Sequence, residues 1–525
     1  MGGRVGRRGF LVAGGAGALT ACASPDAEPG RATPAPSPSP HTTGSSSAGV
    51  SASAGTPPAA PPTAADWERL ARHVTGPVAR PGSASYDRVR LVQNPRYDGA
   101  RPLAVLSATS ADDVATGLAF ARDHALPVAI RSGGHAYPGW SAGDGRLVLD
   151  LRPLHRVSLS GTTATVGAGA SLVHVYDALG TRGRGIAAGS CPTVGFGGLA
   201  LGGGIGVLTR AHGLTCDAVT AMQVVLADGR TVTATKHREP DLFWALRGGG
   251  GGHLGVVTSF TMRTFAAPTI TRFYLQWPLS ALGRVLPAWL GHASSADRRL
   301  WSTLKALGGR AHPSGPIVVL AGTWLGHPDT LTAALRPLMG AAPRPTVNTR
   351  TTAGYRDTML AYAGCSTIGV SRCHTGPGGA LPRGAFAATS HIVRETDTTA
   401  GVVDTITTHV ERAGSLFEAG VALDSLGGAM AQVAPHATPF WHRRAVATAQ
   451  YTATYSSGSP AAADRFVHAF RHAMVPAWGI GAYVNYADAS LADPMTSYFG
   501  KNAVRLARVG RAYDPDGFFT QPQGY

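Results

Sequence analysis

From Trp67 onward, short apolar runs alternate with polar breaks, and the period of each run predicts its element. Ser110 to Asp113 reads as a capping box ahead of Val114 and Leu118, starting a helix that runs to about His124 and stops at Pro127. Val128–Ile130, Leu147–Leu151 and Thr163–Val166 predict short strands, and Ser171 caps a helix that ends before Gly180. Residues 268–475 differ in texture, with longer alternating stretches at Ile317–Leu320 and Ala447–Tyr455 and few glycine clusters. They predict a second domain inserted after a first at 66–267. Residues 476–525 regain short motifs, end in Asp514, Pro515, Asp516, Gly517, Phe518 and Phe519, and are expected to rejoin the first domain. The mixture predicts an α+β fold with its sites on loops.

Ahead of this lies a different kind of sequence. Arg7, Arg8, Gly9, Phe10 and Leu11, then a small-residue apolar stretch and Leu19, Thr20, Ala21 and Cys22, combine a twin-arginine export signal over 1–21 with a lipobox. Cys22 is the expected lipidation site, which anchors an exported, extracytoplasmic protein to the cell membrane. Residues 22–65 are mostly Ala, Pro, Ser, Thr and Gly, too poor in apolar side chains to offset ordering entropy, and read as a disordered linker.

Composition narrows the classes further. Of 525 residues 44% are hydrophobic and 14% charged, which excludes a charge-rich disordered chain or a coiled coil. The net charge is +16, yet the basic residues are scattered among acids, with pairs such as Arg443 and Arg444 beside His442 rather than runs. No nucleic-acid footprint is expected. No metal pattern or G-x-S-x-G elbow is visible, so metal sites and serine hydrolysis are not expected.

The 69 glycines carry the first functional signal. Arg131, Ser132, Gly133, Gly134 and His135 follow a strand and present consecutive backbone N–H groups suited to a pyrophosphate. A second cluster runs from Gly189 through Cys191, Val194, Gly195, Gly197, Gly198, Gly202 and Gly206, leaving room for a flat ligand. Gly250, Gly252 and Gly255 match G-x-G-x-x-G formally. The flanking order, helix then strand, and the lack of an acid before Asp297 exclude a Rossmann fingerprint.

These loops resemble those of the berberine bridge enzyme-like oxidases in the vanillyl-alcohol oxidase, or PCMH-type FAD-binding, superfamily. The likeness covers most of residues 80–265, with Arg131–His135 and Ser141 as a first flavin loop and Gly189–Asp217 as a second, and resumes from Tyr483. It is patchy between, at Leu426, Gly427, Gly428, Thr438, Pro439, Phe440, His442 and Arg443. The resemblance implies a two-part FAD-binding domain with an inserted substrate domain built on an antiparallel sheet flanked by helices. It implies a bicovalent FAD, with His135 on the 8α-methyl carbon and Cys191 on ring carbon 6. Gly255, Val257 and Asn485 complete the expected flavin contacts. Leu199 stands where many members carry histidine, and Cys365 and Cys373 are either a small disulfide loop or two thiols.

Taking a hydride from an alcohol requires a base for the hydroxyl proton. Tyr483, Val484, Asn485 and Tyr486 resemble the family's Tyr-x-Asn-Tyr motif. If the segment is extended, Tyr483 and Asn485 share a face, which makes Tyr483 the expected base. A phenol near pKa 10 then needs a neighbouring cation or strong hydrogen bond. Val194 stands at the position where valine accompanies fast reaction with oxygen. Tyr355, Gln450 and Tyr451 are expected on the substrate wall.

The leading reading is a monomeric oxidase of a sugar or hydroxylated natural product that reduces O2 to H2O2. A dehydrogenase feeding a quinone and a non-catalytic flavin- or sugar-binding lipoprotein stand as alternatives.

Overall fold

The computed structural model describes residues 60–397, 401–456 and 460–524. The expected signal, Cys22 and the linker up to residue 59 lie outside the described residues. Helix Ala64–His73 begins within the segment assigned to the linker, because Thr63 and Asp66 cap each other's backbone N–H groups.

Three larger sheets carry the architecture. The first orders β1 (Val78–Ala79), β2 (Ala104–Ser107), β4 (Leu147–Asp150) and β3 (Val128–Arg131). β2 and β3 both run parallel to β4, since helix Ala111–Asp123 crosses between them. The second orders β5 (Val157–Ser160), β6 (Thr163–Gly167), β10 (Val256–Arg263), β8 (Val219–Val225) and β9 (Thr231–Thr235), all antiparallel. A short pair joins β7 (Arg184–Gly185) to β11 (Phe265–Ala266).

The third sheet is antiparallel and seven-stranded, ordered β15 (Val347–Gly354), β12 (Thr269–Pro278), β14 (Ile317–Trp324), β13 (Leu300–Gly308), β17 (Glu418–Ser425), β18 (Ala445–Tyr455) and β16 (Ala385–Arg394). Its two faces differ because strand side chains alternate. One packs under helices Leu282–Ser295, Leu331–Ala341, Val402–Glu411 and Pro460–Trp478, burying Trp277, Trp289, Leu320, Val421, Tyr451 and Phe470. The other presents Gln276, Lys305, Asp424 and Gln450 to a cavity.

The first two sheets share a core that reaches from Trp67 to Ile270 and takes in Ala482, Tyr498, Phe499, Leu506 and Phe519 from the end of the chain. The fold is therefore α+β, an FAD-binding-type body with a helix-flanked antiparallel sheet set between its parts.

Three local expectations change. Ser110 caps its helix through Asp113 N, but the Asp113 carboxylate accepts from the backbone N–H groups of Thr75, Gly76 and Thr109 instead of closing the box. Ser171 precedes helix Leu172–Gly180 without capping it, its hydroxyl lying 2.7 Å from His174 Nδ1. Val484–Tyr486 forms a turn of 3₁₀-helix, not a strand.

Candidate active site

A cavity of about 1190 Å³ lies between the glycine loops and the polar face of the third sheet. That exceeds the roughly 300–1,000 Å³ of an ordinary small-molecule pocket and suits a cofactor plus a substrate.

The cofactor half is made by two loops in backbone contact. A Cβ on Gly133 would meet Gly195 N at 2.1 Å, and one on Gly195 would meet Ser132 Oγ at 2.0 Å. Only glycine allows the approach. Ser132, Gly133, Gly134, His135, Ser141, Cys191, Val194, Gly195, Gly197, Gly198, Gly206, Gly255 and Val257 all line the cavity. His135 Nε2 lies 2.9 Å from Thr193 Oγ1, which bridges the loops and leaves Nδ1 for another bond. Burial holds the His135 imidazole down at about 4, so it is neutral near pH 7. Ser141 Oγ is buried without a hydrogen-bond partner among the described residues, as a ligand-facing hydroxyl would be. The crowded glycine cradle, neutral imidazole and orphan hydroxyl fit a dinucleotide such as FAD.

Tyr483 and Asn485 meet at the edge of this half. The phenol oxygen of Tyr483 accepts from Gly204 N at 3.0 Å, Ile205 N at 3.2 Å and Asn485 Nδ2 at 2.8 Å. Burial pushes this phenol up to about 12, although the three donors pull the other way. An oxygen already taking three donors, on a residue 2% exposed, has no free lone pair for a substrate proton. Tyr483 thus fastens the last segment of the chain to the Gly204–Ile205 loop. The 3₁₀ turn brings Tyr486 to the cavity as well.

Tyr486 stacks on Tyr137 with centroids 5.5 Å apart and planes 4° from parallel. Gln450 Nε2 donates to the Tyr137 hydroxyl, fixing the pair against β18. Burial, then the negative charge of Asp424, raises the Tyr486 phenol well above its ordinary range. Asp424 is itself raised by burial, against the opposing pull of Thr303 and Lys305. Tyr137, Lys305 and Asp424 escaped the sequence reading, which named Tyr486 only as part of its motif. A legible signal existed for two of them: Asp424 and Lys305 interrupt strands that are otherwise largely apolar.

Four expected site residues lie off the cavity lining. Arg131 is fully buried behind its loop, where its NH1 donates to Arg90 O at 2.9 Å. Gly202 sits under Asn485, whose Oδ1 a Cβ would meet at 2.0 Å. The Tyr355 hydroxyl accepts from Ile186 N and donates to Ile186 O, a core tie between domains. Tyr451 follows Gln450 on β18, so alternation turns it into the core against Phe470.

Among the described residues no group of His, Cys, Asp and Glu could hold a metal ion. No described helix is long and apolar enough to cross a membrane.

Comparison with known proteins supplies the family. The FAD-binding domain pattern matches residues 102–235, and the berberine and berberine-like pattern matches 482–524. The chain is 30% identical over 451 residues to an uncharacterized FAD-linked oxidoreductase, YgaK, of Bacillus subtilis, covering 82% of this chain and 95% of that protein. The chain belongs to the berberine bridge enzyme-like family of FAD-linked oxidoreductases. This berberine bridge enzyme-like protein is also 29% identical to the xylooligosaccharide oxidase of Thermothelomyces thermophilus, covering 80% of this chain and 86% of that one. Glucooligosaccharide oxidase from Acremonium strictum, described with a 6-S-cysteinyl, 8α-N1-histidyl FAD, superposes with a TM-score of 0.77. It is 25% identical and covers 87% of this chain and 98% of its own. The chain is an FAD-dependent oxidoreductase.

Proposed function

We propose that this chain oxidises a hemiacetal or alcohol carbon of a carbohydrate and passes the electrons to oxygen, with its FAD tethered twice. One observation carries the reading. A single cavity joins the loops of His135 and Cys191 to a wall bearing Gln450, Asp424 and Tyr486.

FAD in the cofactor half supplies the hydride acceptor. His135 Nδ1 and Cys191 Sγ are the proposed attachment atoms, in agreement with the histidyl and cysteinyl links of the Acremonium strictum enzyme. Val194 lines the cavity beside this loop, where a small side chain leaves room for oxygen.

Oxidation removes a hydride from carbon and a proton from its hydroxyl. Tyr486 is the proposed proton acceptor, since its phenol faces the cavity and its raised pKa makes it a strong base once its own proton leaves. Asp424 stands beside it to take that proton. The Tyr137 ring and Gln450 hold the pair in place.

Anaerobic mixing with neutral sugars and alcohols tests the reading through bleaching of the flavin. Peroxide release in air tests the acceptor: brisk dye reduction without peroxide overturns the oxidase part. The carbohydrate names of two relatives support the substrate class. Arg7, Arg8 and Cys22 support export and a lipid anchor, which a Cys22→Ala chain recovered free of the membrane fraction would bear out. One copy of the chain holds the whole cavity, in keeping with a monomer.

A further inference from the structure

One charged group on the cavity wall is left over from this chemistry. Lys305 is one of three lysines in the chain and lies near the middle of the third sheet's polar face. Its row in register runs from Gln276 through Val319, Lys305 and Ala422 to Gln450. Its lateral neighbours are therefore an isopropyl and a methyl group. The residue is 7% exposed, and that small exposure opens on the cavity.

The surrounding acids do not pair with it. No carboxylate among the described residues lies within the 4.0 Å of an ion pair with Lys305, although Asp424, then Glu418, act on its charge from farther away. Glu418 is engaged by His312 at 2.9 Å. Asp424 occupies the next row, opposite Thr303, and faces Tyr486. Arg272, on β12 of the same wall, also keeps a buried Nε without a partner among the described residues. A mostly buried ammonium with no carboxylate in contact costs folding free energy, and an anion bound against it offsets part of that cost.

We propose that Lys305 binds a carboxylate of the substrate, so that the preferred sugar is acidic: a uronic acid or an oligosaccharide containing one. The proposal rests on the carbohydrate reading above and names its substrate class. Lys305 stands two strand spacings, about 10 Å, from Gln450. The carboxylate therefore belongs to a part of the substrate remote from the reacting carbon. A neutral hydroxyl would accept one hydrogen bond there but bring no opposite charge into contact. An ionised acceptor makes the stronger, charge-assisted bond.

Anaerobic calorimetric titration of the full-length holoprotein, its flavin reduced beforehand with dithionite, with galacturonate and with galactose tests this without turnover. Galacturonate is expected to bind at least about tenfold more tightly, roughly 1.4 kcal/mol. Salt should weaken that preference, and Lys305→Met should reduce it to within about twofold. Equal affinity for the two sugars overturns the proposal. So does a Lys305→Met chain that loses affinity for both equally, which would make the lysine a general support for Asp424. If galacturonate binds selectively through Lys305 and neither sugar bleaches the flavin anaerobically, the acid site stands and the oxidase reading falls.

Discussion

Tyr137 and Tyr486 lie face to face, their ring planes 4° apart, although the two residues come from opposite ends of the flavin-type body. Tyr137 follows the first glycine loop, while Tyr486 closes the 3₁₀ turn that returns the chain to that body. The stack holds the Tyr486 ring in place on the cavity wall.

Replacing the two tyrosines therefore has different consequences. Tyr486→Phe should slow anaerobic flavin reduction by about 10²–10⁴, the usual contribution of a positioned base, with little change in melting temperature. Tyr483→Phe should instead lower the melting temperature, because the N–H groups of Gly204 and Ile205 lose their acceptor at about 1–3 kcal/mol each. Stopped-flow reduction and a thermal melt of both variants decide it. An unchanged reduction rate in Tyr486→Phe removes that residue from the mechanism.

The tethers make a prediction that needs no substrate. Acid precipitation of the holoenzyme should leave the yellow colour with the polypeptide, and His135→Ala or Cys191→Ala should each retain it through the remaining bond. Mass spectrometry of proteolytic fragments should find flavin on both peptides. Chromophore wholly in the supernatant would refute both attachments.

Acid should destabilise the fold well before its carboxylates protonate. Burial holds His391 down to about 3, with the Arg471 charge adding to it, and burial with Arg394 nearby holds His442 down to about 4. The unfolded chain takes up these protons near the ordinary value of about 6.5. The stability each neutral imidazole contributes is thus complete above about pH 6.5 and lost as pH falls through the folded values. Melting temperatures should fall steadily from pH 7 to 4, and His391→Gln should flatten the slope. A slope as steep as wild type in that variant would count against the assignment.

The Cys365–Cys373 disulfide closes a loop of sequence separation 8, and Thr367 and Ile368 within it line the cavity. Chain entropy for so short a loop gives about 2–3 kcal/mol. Cys365→Ser with Cys373→Ser should melt lower by that amount and raise KM more than it lowers kcat, because the chemistry lies on other elements. Unaltered kinetics and stability would show the bond to be dispensable.

Much of the cofactor half was legible in the chain. The glycines at 133 and 195 are required by backbone contact, and their spacing to His135 and Cys191 survives in any fold that forms both loops. Local periodicity also placed β18 close to its observed limits and found the first half of β14. It failed at Tyr483–Tyr486, where tertiary donors from Gly204 and Ile205 draw the phenol oxygen inward and an expected strand becomes a turn.

The substrate half was hardly legible. Alternation along β18 says that Gln450 and Tyr451 face opposite ways, but which one meets the cavity depends on where helix Pro460–Trp478 packs. Lys305 and Asp424 stand out as charges within apolar strands, yet only the register of β13 with β17 brings them to one wall. The sequence alone determined the loops that cradle a dinucleotide, because close backbone approach admits a single residue type. Tertiary structure decided which side chains share the cavity wall, because side chains far apart in the chain become neighbours only through strand pairing and the choice of buried face.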